Sequence, residues 1–243
     1  MRIHLRLEGD PTIELPLGYN EILQGFVYNL LSHNLASQLH DGGFFYKKRA
    51  FKLFTFSRLR SHYDIDPQKK KIYFQTPIEL KIAFALDNYA SNLGLNAIKS
   101  QEVRLGKNPL RITYIEIEES PIFQEDSFIV QTLSPICVFT TPQKKKIYLS
   151  PTDAKFSYLL KENIKKKYYA LTQKEEDFPF HIEPAGRYKM VAVRYKGGAI
   201  KGTYGRFKIE CPPHIFQAVY DAGLGANSSL GFGMVEVKGA SSS

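Results

Sequence analysis

The chain has 243 residues, enough for one large domain or two of about 100–150 residues each. Hydrophobic residues make up 43%, which argues against global disorder, and no uncharged apolar run approaches the roughly 18–20 residues that cross a bilayer. Lys and Arg outnumber Asp and Glu by 33 to 24, so the surface attracts polyanions, whether nucleic acid, acidic protein or anionic membrane. The opening MRIHLRLEGDPTIEL carries charges where a signal peptide has its apolar stretch, and a soluble cytoplasmic protein is expected. Cys137 and Cys211 sit in no CxxC pair and beside no histidine at ligand spacing, so they read as small buried hydrophobes, with no metal and no cofactor expected.

The elements follow in chain order. Ile3, Leu5 and Leu7 alternate with polar neighbours, which predicts a strand over 2–8. From Asn20 the apolar residues Ile22, Leu23, Phe26, Val27, Leu30 and Leu31 recur at three- and four-residue steps, which predicts an amphipathic helix to about His33. A further helical turn covers 35–39, and Gly42-Gly43 opens a loop reading FFYKKRA. Residues 51–57 and 71–75 read as strands joined through a polar hairpin end. A helix is predicted over 78–93, with Gly94 as its stop, then strands over 97–103 and 110–118. This order is β-α-β-β-α-β, the ferredoxin-like arrangement.

The second half repeats it with an extra hairpin at the front. Strands are predicted over 127–133 and 136–141, then a helix capped at Thr152-Asp153 that carries Phe156, Leu159, Leu160, Ile164 and Tyr168. Strands 188–196 and 204–210 flank the turn KGGAIKG, a short helix spans 214–222 behind Pro212-Pro213, and a final strand covers 234–238. The fold class is therefore α+β with two tandem ferredoxin-like domains, 1–120 and 121–239, followed by a disordered tail at 240–243. PQKKKIYF from Pro67 and PQKKKIYL from Pro142 fall at different places in the two units, so they read as one hairpin chemistry used twice.

Four glycines, Gly223, Gly225, Gly231 and Gly233, fall in GLGANSSLGFGMVEV between the last helix and the last strand. Glycines let a backbone approach a ligand closely, and their N–H groups can cradle an anion. Asn227, Ser228 and Ser229 add neutral hydrogen-bonding groups. The loop suits an RNA backbone, an anchor against the first domain, or a plain helix-terminating turn. Lys47-Lys48-Arg49 heads a set of basic clusters with aromatic neighbours, a mix that suits phosphate contact with base stacking, though any one cluster also reads as a solvated face. Lys189, Arg194 and Arg206 fall on second-domain strands where they can line an RNA path.

The ending Ser229-Leu230-Gly231-Phe232-Gly233-Met234 resembles the glycine-rich loop of the RAMP superfamily, specifically the CRISPR repeat-RNA endonucleases of the Cas6 family. LQGFVYN from Leu23, LASQLH ending at His40, KLFTFS from Lys52 and TLSPICV from Thr132 resemble further segments of that family, in the same order, so the likeness covers nearly the whole chain. It implies a metal-independent endoribonuclease that cuts CRISPR repeat RNA into guide RNAs by 2′-OH attack, leaving 2′,3′-cyclic phosphate and 5′-OH ends. It implies His40 as the proton-transferring residue, an imidazole being able to accept or donate near neutrality. Tyr28 would orient or deprotonate the 2′-OH or donate to a phosphate oxygen, against a core-edge role; Lys52 would neutralise the transition state, against a solvated one. Expected partners are the repeat RNA, then CRISPR effector proteins or a second copy of the chain, and no membrane. His33 and His62 are weaker candidates, and His4, His181 and His214 read as structural or solvent-facing. The alternatives are a non-catalytic repeat-RNA-binding subunit of the same superfamily and a tandem ferredoxin-like protein with no RNA role. The sequence has no GxxxxGK[ST] phosphate loop, HExxH or GxSxG elbow.

Overall fold

Strand β1 (Arg2–Gly9) buries Ile3, Leu5 and Leu7 on one face, as its alternation dictates. The structure, a computed structural model, describes residues 1–100 and 102–238; the expected tail at 240–243 lies outside the described residues. After β2 (Thr12–Pro16), helix α1 (Asn20–Leu30) turns Leu23, Phe26, Val27 and Leu30 into the core. Helix α2 (His33–Ser37) runs straight into a π-helical turn, Gln38–Gly42. Next come the hairpin β3 (Phe44–Tyr46) and β4 (Arg49–Phe51), then β5 (Phe54–Phe56), β6 (Tyr63–Asp66), β7 (Lys71–Gln75) and β8 (Ile78–Phe84). Helix α3 (Asp87–Lys99), β9 (Glu102–Leu105) and β10 (Asn108–Glu118) complete the first unit. Its sheet runs β5-β8-β1-β10-β9, antiparallel throughout, while β2, β7 and β6 form a separate three-stranded sheet.

The helix predicted over 78–93 is corrected here. Ile78, Leu80 and Ile82 are a strand's alternate residues, with Leu80 opposite Leu5 and Ile82 opposite Ile3, and the helix starts only at Asp87. A short apolar run fits either period, and sheet pairing decided it. The helix persists to Lys99, so the strand predicted over 97–103 is displaced to β9. The ferredoxin-like order survives with different members: β8 fills the place assigned to 71–75, and that segment joins the side sheet instead.

The second unit contains β11 (Ser127–Thr132), the short pair β12 (Phe139–Thr140) and β13 (Ile147–Tyr148), helix α4 (Phe156–Thr172), β14 (His181–Tyr195), β15 (Gly198–Glu210), helix α5 (Pro213–Val219) and β16 (Val235–Val237). Its sheet order, β14-β15-β11-β16, repeats that of β5-β8-β1-β10. The predicted strand 136–141 shrinks to β12 and two isolated bridges, Ile136 to Thr203 and Cys137 to Gly225. Both PQKKKIY repeats make hairpin turns, and each places a lysine at positive φ, Lys70 and Lys144. No helix among the described residues is long and apolar enough to cross a membrane.

Candidate functional site

Away from its core stripe, α1 turns Glu21, Gln24, Gly25 and Tyr28 toward an open cleft of about 600 Å³. Helix α2 supplies Ala36 and Ser37, and the π-helical turn supplies His40 and Asp41, from the other wall. Lys52, just past β4, lines it too, as do Tyr195 and Lys196 at the tip of the β14–β15 hairpin and Ser229 from the glycine-rich loop. The three residues predicted to act on substrate therefore meet in one place, joined by groups from the second unit. A larger hollow of about 780 Å³ lies at the β9–β10 edge, lined by Glu8, Asp10, Glu102, Arg104 and Arg111, and contains none of these residues.

The turn bearing His40 is held from beneath. Lys52 Nζ donates to the carbonyls of His40 at 2.5 Å and Gly42 at 3.3 Å, which fixes the turn and keeps a cation beside the cleft. Burial pulls the Lys52 ammonium below its ordinary value, partly offset by the Asp41 carboxylate. The His40 side chain is 74% exposed, with Nδ1 2.7 Å from Asp41 Oδ1. Its ring meets Tyr28 edge-to-face at 5.8 Å, and Tyr28 in turn meets Phe54 at 5.7 Å. Burial, and next the Tyr195 phenol, push Tyr28 up to about 12, so its hydroxyl is a donor at neutral pH rather than a base. Tyr195 is fixed by donating to Gln24 Oε1 at 2.7 Å.

The glycine-rich loop packs its glycines against both units. Gly223, Gly225, Gly231, Gly233 and Ser228, expected to contact RNA, are buried against the rest of the protein. All four glycines have φ between 75° and 81°, where side chains are rarely accommodated. A Cβ on Gly231 would collide with the Phe56 ring and one on Gly223 would press on Thr55, both on β5. Thr55 Oγ1 donates to Phe232 O at 2.9 Å and Asn20 Nδ2 to Leu230 O at 2.7 Å, so the loop anchors one unit on the other. From behind, the buried Lys167 ammonium donates to the carbonyls of Ala222, Gly223 and Gly225 and to Ser228 Oγ. Burial, then the charge of Arg49, pushes Lys167 down to about 7. Asn227 and Ser229 keep partial exposure, and only Ser229 lines the cleft.

Lys47, Lys48 and Arg49 are exposed on the β3–β4 hairpin, which docks on α4 through the Tyr46–Tyr169 ring pair at 5.3 Å. Lys189 and Arg194 on β14 and Arg206 on β15 are also exposed. None of these six lines the cleft. His33 and His62 are exposed outside it, and His4 lies on the first sheet between Glu79 and Glu116. Sequence reasoning missed Asp41, Tyr195, Lys196 and Lys167. The first was hidden beside a stronger candidate, the next two arrive on a hairpin that meets α1 across 171 residues of sequence at Tyr195–Gln24, a contact that tertiary packing alone specifies, and Lys167 sits in a run of three lysines with no local mark of burial.

A family model described as CRISPR associated protein Cas6, C-terminal, matches residues 117–237. The chain is 28% identical to the CRISPR-associated endoribonuclease Cas6 of Pyrococcus furiosus, covering 98% of this chain and 90% of that protein. It is 29% identical to CRISPR-associated endoribonuclease Cas6 1 of Methanocaldococcus jannaschii, covering 97% and 92%. A solved structure of a CRISPR associated protein Cas6 superposes with a TM-score of 0.77 at 26% identity over 98% of this chain and 99% of that one. The product of a Cas6-related gene from Pyrococcus furiosus shares the fold, with a TM-score of 0.82 at 24% identity and 98% coverage of both.

Proposed function

Because the chain belongs to the Cas6 family of CRISPR-associated proteins, we propose that it is a metal-independent endoribonuclease that cuts CRISPR repeat RNA within the cleft between α1 and the π-helical turn. The observation that carries this reading is the convergence of His40, Tyr28, Lys52 and Ser229 on that one cleft. In the proposed division of the chain, 1–120 supplies the reacting groups and 121–239 the loop and hairpin that complete the walls.

RNA carries its own nucleophile in the 2′-OH, so cleavage needs proton transfer and charge stabilisation rather than an activated water. With Asp41 accepting Nδ1–H, neutral His40 presents Nε2 as the proton acceptor. The 2′-oxygen then bonds to phosphorus, the bond to the 5′-oxygen breaks, and the imidazolium is the proton source for the departing oxygen. Tyr28, protonated, donates to a non-bridging phosphate oxygen. Lys52 and the exposed Lys196 supply positive charge where the phosphorane forms. Products are a 2′,3′-cyclic phosphate and a 5′-OH.

The test is cleavage of a repeat RNA in excess EDTA. Cutting that a single 2′-deoxy substitution at the scissile nucleotide abolishes is expected. Salt-dependent binding with no cutting would instead select the non-catalytic RNA-binding reading.

A further inference from the structure

We propose that Lys167 is a positioning residue for the cleavage reaction: its ammonium shapes loop 222–231 from behind and so sets Ser229 against His40. The proposal rests on the nuclease reading above. Within Lys165-Lys166-Lys167 the three residues have different fates. Lys165 pairs with Asp177 at 3.0 Å, and Lys166 is half-buried, but Lys167 is turned inward and is 3% exposed. Its Nζ lies 3.2 Å from Ala222 O, 2.5 Å from Gly223 O, 3.0 Å from Gly225 O and 2.6 Å from Ser228 Oγ. Every one of these partners is neutral, so this is not an ion pair but a cation enclosed by loop dipoles.

Three carbonyls converge on one point only because the chain reverses around it. Gly223 at φ 75° and Gly225 at φ 81° provide that reversal. An ammonium has three donors and no acceptor, so it favours a loop whose oxygens point inward. The far end of the same loop is tied to the first unit by Asn20 and Thr55. Between the two ties Ser229 emerges into the cleft that holds His40. Filling this space for packing alone would ask for an apolar side chain, since a buried cation is costly to desolvate. The Lys167 amino group, through the oxygens that converge on it, is the group that specifies the loop's shape.

The experiment compares wild type with Lys167→Met, which keeps the stem and removes the donors, and with Lys167→Arg. Single-turnover cleavage of repeat RNA, RNA affinity and amide hydrogen exchange are measured on each. In Lys167→Met, amides of 222–231 should exchange about tenfold faster or more while α4 keeps its protection. Cleavage at saturating RNA should fall about tenfold, with the dissociation constant within about threefold. Lys167→Arg should recover part of the rate. Loop exchange and rate at wild-type levels would overturn the proposal. So would parallel loss of rate, affinity and α4 protection, the mark of a general structural role. Should Lys167→Met fail to fold, Ser228→Ala decides: a rate loss of about twofold to threefold with faster loop exchange is expected, and no change in either overturns it. Wild type that binds but never cuts repeat RNA would sink the nuclease reading and this one with it, whereas a cutting wild type with an indifferent Lys167 sinks only this one.

Discussion

The cleft and the seam between the two ferredoxin-like units treat polar side chains in opposite ways. In the cleft, His40 and Asp41 stand three-quarters exposed and hold mainly each other. In the seam, Asp221 is 6% exposed and accepts from Arg2 Nε at 2.8 Å, the Met1 amino group at 2.5 Å and Ser120 Oγ. Arg2 also stacks its guanidinium on Tyr220 at 3.9 Å. Groups that fix geometry are desolvated and paired, and groups that would meet a polyanion are left in water. A substitution in the seam should therefore cost stability, and one in the cleft should cost rate.

The largest effect is expected from Asp221→Asn. It leaves Arg2 buried without its counter-charge, and breaking such a pair costs about 3–5 kcal/mol. Urea unfolding measures this, and a loss below about 1 kcal/mol would show the seam to be less decisive than its burial suggests. Burial alone would raise the Asp221 carboxyl, but Arg2 and the amino terminus outweigh it and hold it below the ordinary value. Its folded-state value is thus depressed. Its contribution is complete above the unfolded carboxylate value of about 3.9 and is lost as pH falls through the lower folded one. Asp221→Asn should accordingly show a flatter acid limb below about pH 4.

His40→Ala comes next, and it probes the opposite regime. Its single-turnover rate should fall about 100-fold or more, the usual worth of a proton-transferring side chain. Because the ring is exposed, the unfolding midpoint and RNA affinity should barely move. An undiminished rate would remove His40 from the mechanism.

The same contrast explains what the sequence could reveal. The apolar periods of β1, α1 and α4 identified core faces directly, because burial is written in the spacing of Leu, Ile and Phe. The 78–84 segment misled because seven residues with Leu80, Ile82 and Ala83 satisfy two periods, and only Ile3 and Leu5 across the sheet choose between them. His40, Tyr28 and Lys52 were nominated through motif order, not through any local property that marks an exposed histidine. The glycines were legible as special backbone, but their reason, the Phe56 ring and the Thr55 side chain beneath them, belongs to β5 in the other unit, beyond any sequence window. Lys167 was illegible for a similar cause: in a run of three lysines, only the turn of α4 decides which one points inward.

Tyr28→Phe should produce a smaller loss, about tenfold in single-turnover rate, since it removes one hydrogen bond to the developing charge. With Tyr28 pushed up to about 12, its phenol stays protonated across the working range. The variant should lower the pH–rate curve without altering its shape up to about pH 10. A limb that rises with pH in wild type and vanishes in Tyr28→Phe would mean the ionised phenol is the base, reversing the roles assigned to Tyr28 and His40.

Asp41→Asn should have the smallest effect of the series, about twofold to threefold in rate. The Asp41 carboxylate lies 2.7 Å from His40 Nδ1, a distance at which a buried acid would orient and charge-stabilise the ring. In water the same pair is worth little, because both side chains are solvated and salt screens them. Asn keeps an acceptor oxygen for Nδ1–H, so the preferred tautomer survives and only the charge is lost. Measured at saturating RNA, the gap between Asp41→Asn and wild type should narrow further as salt rises toward about 1 M, where the Debye length is about 3 Å. A loss beyond about tenfold that salt leaves intact would show that bound RNA dries the cleft and turns His40–Asp41 into a pair of the seam's kind, and the boundary between the two regimes would then depend on the ligand rather than on the fold.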